Sequence, residues 1–194
     1  MKIFILFAIL SLSTLASAKN EFSGQIGLLT GTVSGVRTLD GLKSYGIGGT
    51  AFDLGWRSFL SNRSYGLLKV GGLYDLIQKN IMRTSFAGGV GYQLYGARHN
   101  TQKIEKNRID YKNDWLVTIE GLASLNTYSA LLENDDVNIS GSVLNLGLEI
   151  AAYYNAFDQY AFGISYRLQP FSISASSEKL ESIDQAIFLS INYF

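Results

Sequence analysis

The chain has 194 residues, a formal net charge of zero at neutral pH, 47% hydrophobic residues and only 16% charged ones. That length suits one domain, and the charge balance carries no electrostatic footprint for nucleic acid. With no cysteine in the chain, disulfides, thiolate metal sites and a cysteine nucleophile are excluded.

Residues 1–18 read as a signal peptide. Lys2 supplies the positive start, Ile3 to Leu15 the apolar run, and Ala16-Ser17-Ala18 the small residues a signal peptidase reads, so cleavage is expected after Ala18. The run is shorter than the ~20 residues of a spanning helix, and serines and a threonine interrupt it. The remainder, 19–194, is expected to be one β-barrel domain.

From there the chain alternates apolar and polar residues, the period of a strand whose side chains leave opposite faces. A first strand is expected over about Glu21–Thr30, with Phe22, Ile26 and Leu28 on one lane and Glu21, Ser23 and Gln25 on the other. A connection holding Gly35, Arg37, Asp40, Gly41 and Lys43 follows, then a second strand over about Tyr45–Phe59. After the polar turn 61–64 a third strand runs about Gly66–Ile77, and a fourth about Thr84–Tyr95. Residues 97–113 break the rhythm. The fifth strand runs about Trp115–Ser129, the acidic stretch 133–136 turns the chain, and the sixth runs about Ser140–Tyr154. The seventh starts at Tyr160; Pro170 cannot donate a ladder hydrogen bond and marks a bulge or the strand's exit. The eighth runs about Gln185–Phe194.

Eight alternating segments suit a closed antiparallel barrel, which leaves no exposed edge. The greasy lanes carry no Asp, Glu, Lys or Arg. The opposite lanes carry Glu21, Asp53, Arg57, Lys69, Asp75, Glu120, Glu149 and Arg167 among glycines and alanines. A soluble barrel needs the reverse, because eight strands cannot enclose Phe, Tyr, Trp and Leu from every strand. The greasy lane is therefore expected to face lipid and the charged lane the interior.

Aromatics give a second test. If the first strand starts in the periplasm, Phe22, Trp56, Tyr92, Trp115, Tyr154, Tyr160 and Tyr193 fall toward periplasmic ends. Tyr74, Phe86 and Tyr166 then fall toward outer ends. Two interfacial belts are what amphipathic rings prefer.

On these residues the mature chain resembles the small outer-membrane barrels of the OmpA/OmpX type, an all-β, closed, eight-stranded transmembrane fold. The resemblance implies a diderm (Gram-negative) bacterium and outer-membrane localisation. It also makes the terminal Phe194 a signal for the barrel-assembly machinery. The ending departs from the usual pattern, since Ser190 and Asn192 stand where apolar or aromatic residues are common.

Asp53, Asp75, Glu120 and Glu149 against Arg57, Lys69 and Arg167 are expected to form an internal ion-pair network, because buried charges need partners. The interior of eight strands is just wide enough for side chains, so the expectation is a filled barrel rather than a porin-like channel. An enzyme acting on lipid A or phospholipid would need a base such as histidine beside serine or acid. The single histidine, His99, lies in the polar stretch 97–113 and reads as a surface residue. Gly88-Gly89-Val90-Gly91 lacks the Lys-Ser/Thr of a phosphate loop and sits mid-strand. No catalytic residue, cofactor or metal is expected. Residues 97–113 place Arg98, Lys103, Lys106, Arg108 and Lys112 against Glu105 and Asp110. A hairpin turning near Lys106-Asn107 on the periplasmic side would suit anionic headgroups, peptidoglycan or a protein partner. The overall expectation is a monomer in outer-membrane lipid and lipopolysaccharide, structural or interactive in role. A small channel and a lipid-modifying enzyme are the alternatives.

Overall fold

The computed structural model describes residues 20–38, 41–76, 81–96, 100–104, 107–111, 114–132, 137–156, 160–175 and 179–193. The expected signal peptide, His99, the acids at 133–136 and Phe194 lie outside the described residues.

The described residues form ten strands: β1 (Asn20–Thr38), β2 (Gly41–Phe59), β3 (Ser64–Asp75), β4 (Ile81–Tyr95), β5 (Asn100–Ile104), β6 (Asn107–Tyr111), β7 (Trp115–Leu132), β8 (Val137–Tyr154), β9 (Tyr160–Ser174) and β10 (Glu181–Tyr193). Eight of them close a barrel in the order β1-β10-β9-β8-β7-β4-β3-β2, every pair antiparallel. The ladder closes between the first and last strands, with Phe22 opposite Tyr193. β5 and β6 pair only with each other, Ile104 opposite Asn107, as a hairpin between β4 and β7. Strand alternation puts this hairpin at the end that also holds Asn20 and Tyr193, here the proximal end.

Several strands outrun the sequence expectation. The connection expected around Gly35–Lys43 is mostly ladder: Val36, Arg37 and Thr38 pair with Lys43, Leu42 and Gly41 beyond a register shift. The shift is a bulge, and Gly35 accommodates it at φ +81°, where a Cβ is strained. One inserted residue resets the lanes, so Val33 and Val36, three apart, both point inward and are buried. β9 shows the same device at Pro170. Leu146 faces Phe171 and Leu148 faces Leu168, so Gly147 alone opposes Gln169 and Pro170. Pro170 is therefore a bulge and not the strand's exit, and β9 runs on to Ser174. A Cβ on Gly147 would strike the Leu168 carbonyl and Gln169, so the bulge requires glycine there.

The outward lane is apolar. Phe52, Leu54, Val70, Val90, Leu148, Ile164 and Leu189 are all at least half exposed. The inward lane divides along the barrel axis. Its middle part is charged; small apolar clusters flank it toward the proximal end, and the largest apolar cluster, with Leu29, Val33, Ile47, Leu73, Ile81, Tyr128, Val143, Leu180 and Phe188, lies distally beside the buried Asp75, Arg83 and Asp184. That distal core was not expected: Leu29, Ile47, Leu73, Tyr128, Val143 and Phe188 lie inside the expected strands but on the lane that reads as small and polar, and Val33, Ile81 and Leu180 lie outside them.

Candidate functional site

The inward lane of β2 presents Asp53 and Arg57, four residues apart and on one face. β3 adds Lys69, β7 Glu120, β8 Glu149 and β9 Arg167, none more than 3% exposed. Glu120 and Glu149 are direct cross-strand partners. Like charges so placed repel. Lys69 resolves the repulsion by reaching across the lumen: its Nζ lies 2.7 Å from Glu120 Oε2 and 2.8 Å from Glu149 Oε2.

From this pair the chain of charges continues both ways. Arg57 Nη2 lies 2.8 Å from Glu120 Oε1, and its Nε donates to the same oxygen at 2.9 Å. Arg167 Nη2 lies 2.7 Å from Glu149 Oε2 and 2.6 Å from Asp53 Oδ2. The order Arg57, Glu120, Lys69, Glu149, Arg167, Asp53 alternates in sign throughout, and both ends lie on β2. The result is a neutral ionic ring that crosses the lumen and returns to its starting strand.

Neutral residues complete it. Gln25 Nε2 donates to Glu149 Oε1 at 2.7 Å, while its Oε1 accepts from Arg167 at 3.3 Å and Lys69 at 3.5 Å. Tyr65 OH donates to Glu120 Oε1 at 2.9 Å, and Arg57 donates to Tyr153 OH at 2.9 Å. The Arg57 guanidinium lies over both tyrosine rings, 5.5 and 5.4 Å from their centroids, and that of Arg167 over Phe188 at 4.7 Å. Buried charge is tolerable only with such complete pairing.

Six of the seven sequence-predicted interior charges meet here. Asp75 does not: it is buried toward the distal end, where its Oδ1 accepts from the Gly48 amide at 2.8 Å. A second buried pair, Arg83 Nη1 to Asp184 Oδ2 at 2.6 Å, was missed. Both partners fell outside the expected strands, which began at Thr84 and Gln185. Gln25, Tyr65 and Tyr153 were missed as ring partners because a neutral side chain on a polar lane carries no pairing signal.

The aromatics divide less evenly than expected. Phe22 faces Trp56 and Tyr193, Tyr193 faces Tyr160, and Trp115 faces Tyr154, which makes a nearly continuous proximal belt. The Trp115 and Tyr154 rings meet in a tilted contact with centroids 5.2 Å apart, and those of Tyr160 and Tyr193 likewise at 5.4 Å. Tyr92, also on the outward lane, faces Ser64 and Ile119. Tyr74 lies one residue from the distal end of β3. Phe86 and Tyr166 sit well inside their strands, opposite Val70 and Leu125, and Ile187 and Ile150. Tyr166 OH donates to Gln185 Oε1 at 2.8 Å. Among the described residues no group of His, Asp or Glu is arranged to hold a metal ion.

A closed eight-stranded barrel that turns its apolar lane out and its charges in is the fold of the small bacterial outer-membrane barrels. No family model and no curated protein matches the chain. Among solved structures it is similar to Neisserial surface protein A (TM-score 0.58, 10% identity, 89% of this chain and 96% of that one). It is also similar to the N-terminal β-barrel domain of Pseudomonas aeruginosa OprF (TM-score 0.51, 9% identity, 90% and 98%). A third is OprG from the same organism (TM-score 0.50, 11% identity, 91% and 96%). At these identities the likeness shows the fold.

Proposed function

We propose that this chain is an integral protein of the bacterial outer membrane, exported by a cleaved signal peptide and inserted by the barrel-assembly machinery. Its role is structural or interactive: membrane integrity, adhesion or surface binding. The observation that carries this reading is the outward apolar lane around the whole closed barrel. Soluble proteins rarely expose contiguous apolar surface beyond a few hundred Å². In lipid the same surface is satisfied, and closure leaves no backbone edge unpaired along most of the wall. The proximal end, with its aromatic belt, faces the periplasm, and the basic hairpin β5–β6 lies on that side near anionic headgroups or peptidoglycan.

The ionic ring supports a filled interior with no axial conduction, and the chain acts as a monomer without catalytic chemistry. Refolded protein in planar bilayers is expected to give no stable single-channel steps; large discrete steps would sink the filled-barrel reading. In cells, the chain is expected in the outer-membrane fraction with heat-modifiable gel mobility, and recovery in the soluble periplasm would overturn the membrane assignment.

A further inference from the structure

On the outward lane of β1, Gly24, Ile26, Leu28 and Thr30 follow one another at every second residue. β10 sets Ile191, Leu189, Ile187 and Gln185 beside them, and β2 sets Leu54, Phe52, Thr50 and Gly48 on the other side. Two clefts lie end to end along this lane and meet at Ile26 and Leu189. The proximal one, about 380 Å³, passes over Gly24 between Phe52, Leu54 and Ile191. The distal one, about 590 Å³, passes Leu28 and Ile187 and reaches Thr30, Thr50, Tyr166 and Gln185. Together they make a groove on the outer wall, apolar along its proximal length and polar at its distal end.

Barrel packing accounts for neither end. A Cβ on Gly24 would have only Ile191 Cγ2 near it, at an ordinary 3.6 Å. The wall has room for a side chain there, and its absence makes the floor of the groove. Gln185 is the one polar residue on the outward lane of β10 from Ile183 to Ile191. Ile183 and Ile187, on either side of it, are both more than half exposed. Its cross-strand partners are Leu168 and Thr30. Its Oε1 accepts from Tyr166 OH at 2.8 Å, which leaves the amide nitrogen two N–H groups with no acceptor among the described residues. The Thr30 and Thr50 hydroxyls have no partner there either. Polar groups facing lipid are costly until something satisfies them.

We propose that this groove seats one acyl chain of an ester-linked lipid of the outer leaflet, whose ester carbonyl accepts from Gln185 Nε2. The inference goes beyond the structural role above and rests on the membrane reading and orientation given there. Three features select the occupant. The first is length: the six residues from Gly24 to Thr30 make about 20 Å of strand. At the roughly 40° tilt of such strands the run descends about 15 Å, one leaflet's half of the ~30 Å hydrocarbon core. The second is the chemistry of the distal end. Its groups are neutral, and no Lys or Arg lines either cleft, so the groove reads a carbonyl rather than a phosphate. The third is shape. A second barrel is convex and would ride on the rims at Phe52 and Leu54, leaving the floor at Gly24 empty.

The test uses the barrel purified in mild detergent from outer membranes of cells carrying the full chain, with native mass spectrometry to count bound lipid. The probes are dipalmitoylphosphatidylethanolamine and its dihexadecyl ether analogue, which keeps the chains and headgroup and lacks both ester carbonyls. Wild type is expected to retain a single ester lipid at an occupancy several-fold above that of the ether lipid. Gln185→Leu is expected to bring the ester lipid down to the ether level. Gly24→Leu, which fills the floor, is expected to lower retention of both several-fold with heat-modifiable gel mobility unchanged. A folded wild-type barrel that holds the two lipids equally overturns the seat and leaves the membrane reading intact. An ester preference that survives Gln185→Leu overturns it as well. A lipid-free dimer dispersed by Gly24→Leu overturns it in favour of a second copy. Absence of the chain from the outer-membrane fraction overturns the membrane reading, and the seat falls with it.

Discussion

Lys69 carries the heaviest single burden in the interior. It separates two carboxylates that the β7–β8 register forces into direct opposition. Replacing it with methionine, of similar length, leaves Glu120 and Glu149 facing each other with one fewer cation. Removing one partner of a buried ion pair costs about 3–5 kcal/mol, and Lys69→Met is expected to lose that much in urea unfolding from lipid vesicles. Adding Glu149→Gln should recover part of the loss, because the second substitution removes the charge left uncompensated; strict additivity in the cycle would disprove the coupling. The ring's charges were legible in the sequence because a charge among glycines and alanines on one strand lane has only the lumen to enter. The pairing of Gln25 was not. Its inward lane was legible, but its amide touches Glu149, Arg167 and Lys69 at once, and a neutral side chain on that lane carries no signal of such pairing.

At the scale of the element, the eight barrel strands were legible and their ends were not. Period-two alternation marks a strand only while the register runs unbroken, and a bulge reverses the lanes. In β1 the outward lane turns polar at Thr30 and Thr32 while the inward lane turns apolar at Leu29 and Val33, and beyond Gly35 the inward residues change parity as well, so the strand reads as ending some eight residues before it does. The same reversal at Pro170 concealed the outward Phe171 and Ile173. Gly35→Ala tests the first bulge. A non-glycine residue in the left-handed region costs roughly 1–2 kcal/mol. The added Cβ would also meet the Lys179 carbonyl, so the loss should reach at least the upper end of that range. An unfolding midpoint indistinguishable from wild type would argue against the bulge. The hairpin β5–β6 makes the opposite case, since its strands pair with nothing in the barrel. Replacing 97–113 by a short Gly-Ser turn should leave heat-modifiable mobility and urea stability unchanged. Loss of the folded gel form would show that the hairpin is part of the barrel's framework.

For the whole molecule, the deciding property is that it is inside out. The neutral ring, Gln25 and the two tyrosines make a polar core that would be costly if any member lacked a partner. The apolar lane outside has no protein partner in the described structure. The distal apolar interior adds a second core that no charge count reveals, because it draws one to three residues from each of seven barrel strands and Leu180 from the approach to β10. The inversion makes a prediction that separates lipid from water as the surrounding medium. Leu189 is 66% exposed and sits mid-strand on β10. On a soluble surface, Leu189→Arg would change stability by no more than about 0.5 kcal/mol. At the midplane of a bilayer the same substitution costs roughly 2–4 kcal/mol. Urea titration of wild type and Leu189→Arg refolded into vesicles reads the difference directly. A cost in the upper range places the lane in hydrocarbon. A value near zero would mean that water or another protein covers this face, and the outward reading of all eight strands would fall with it.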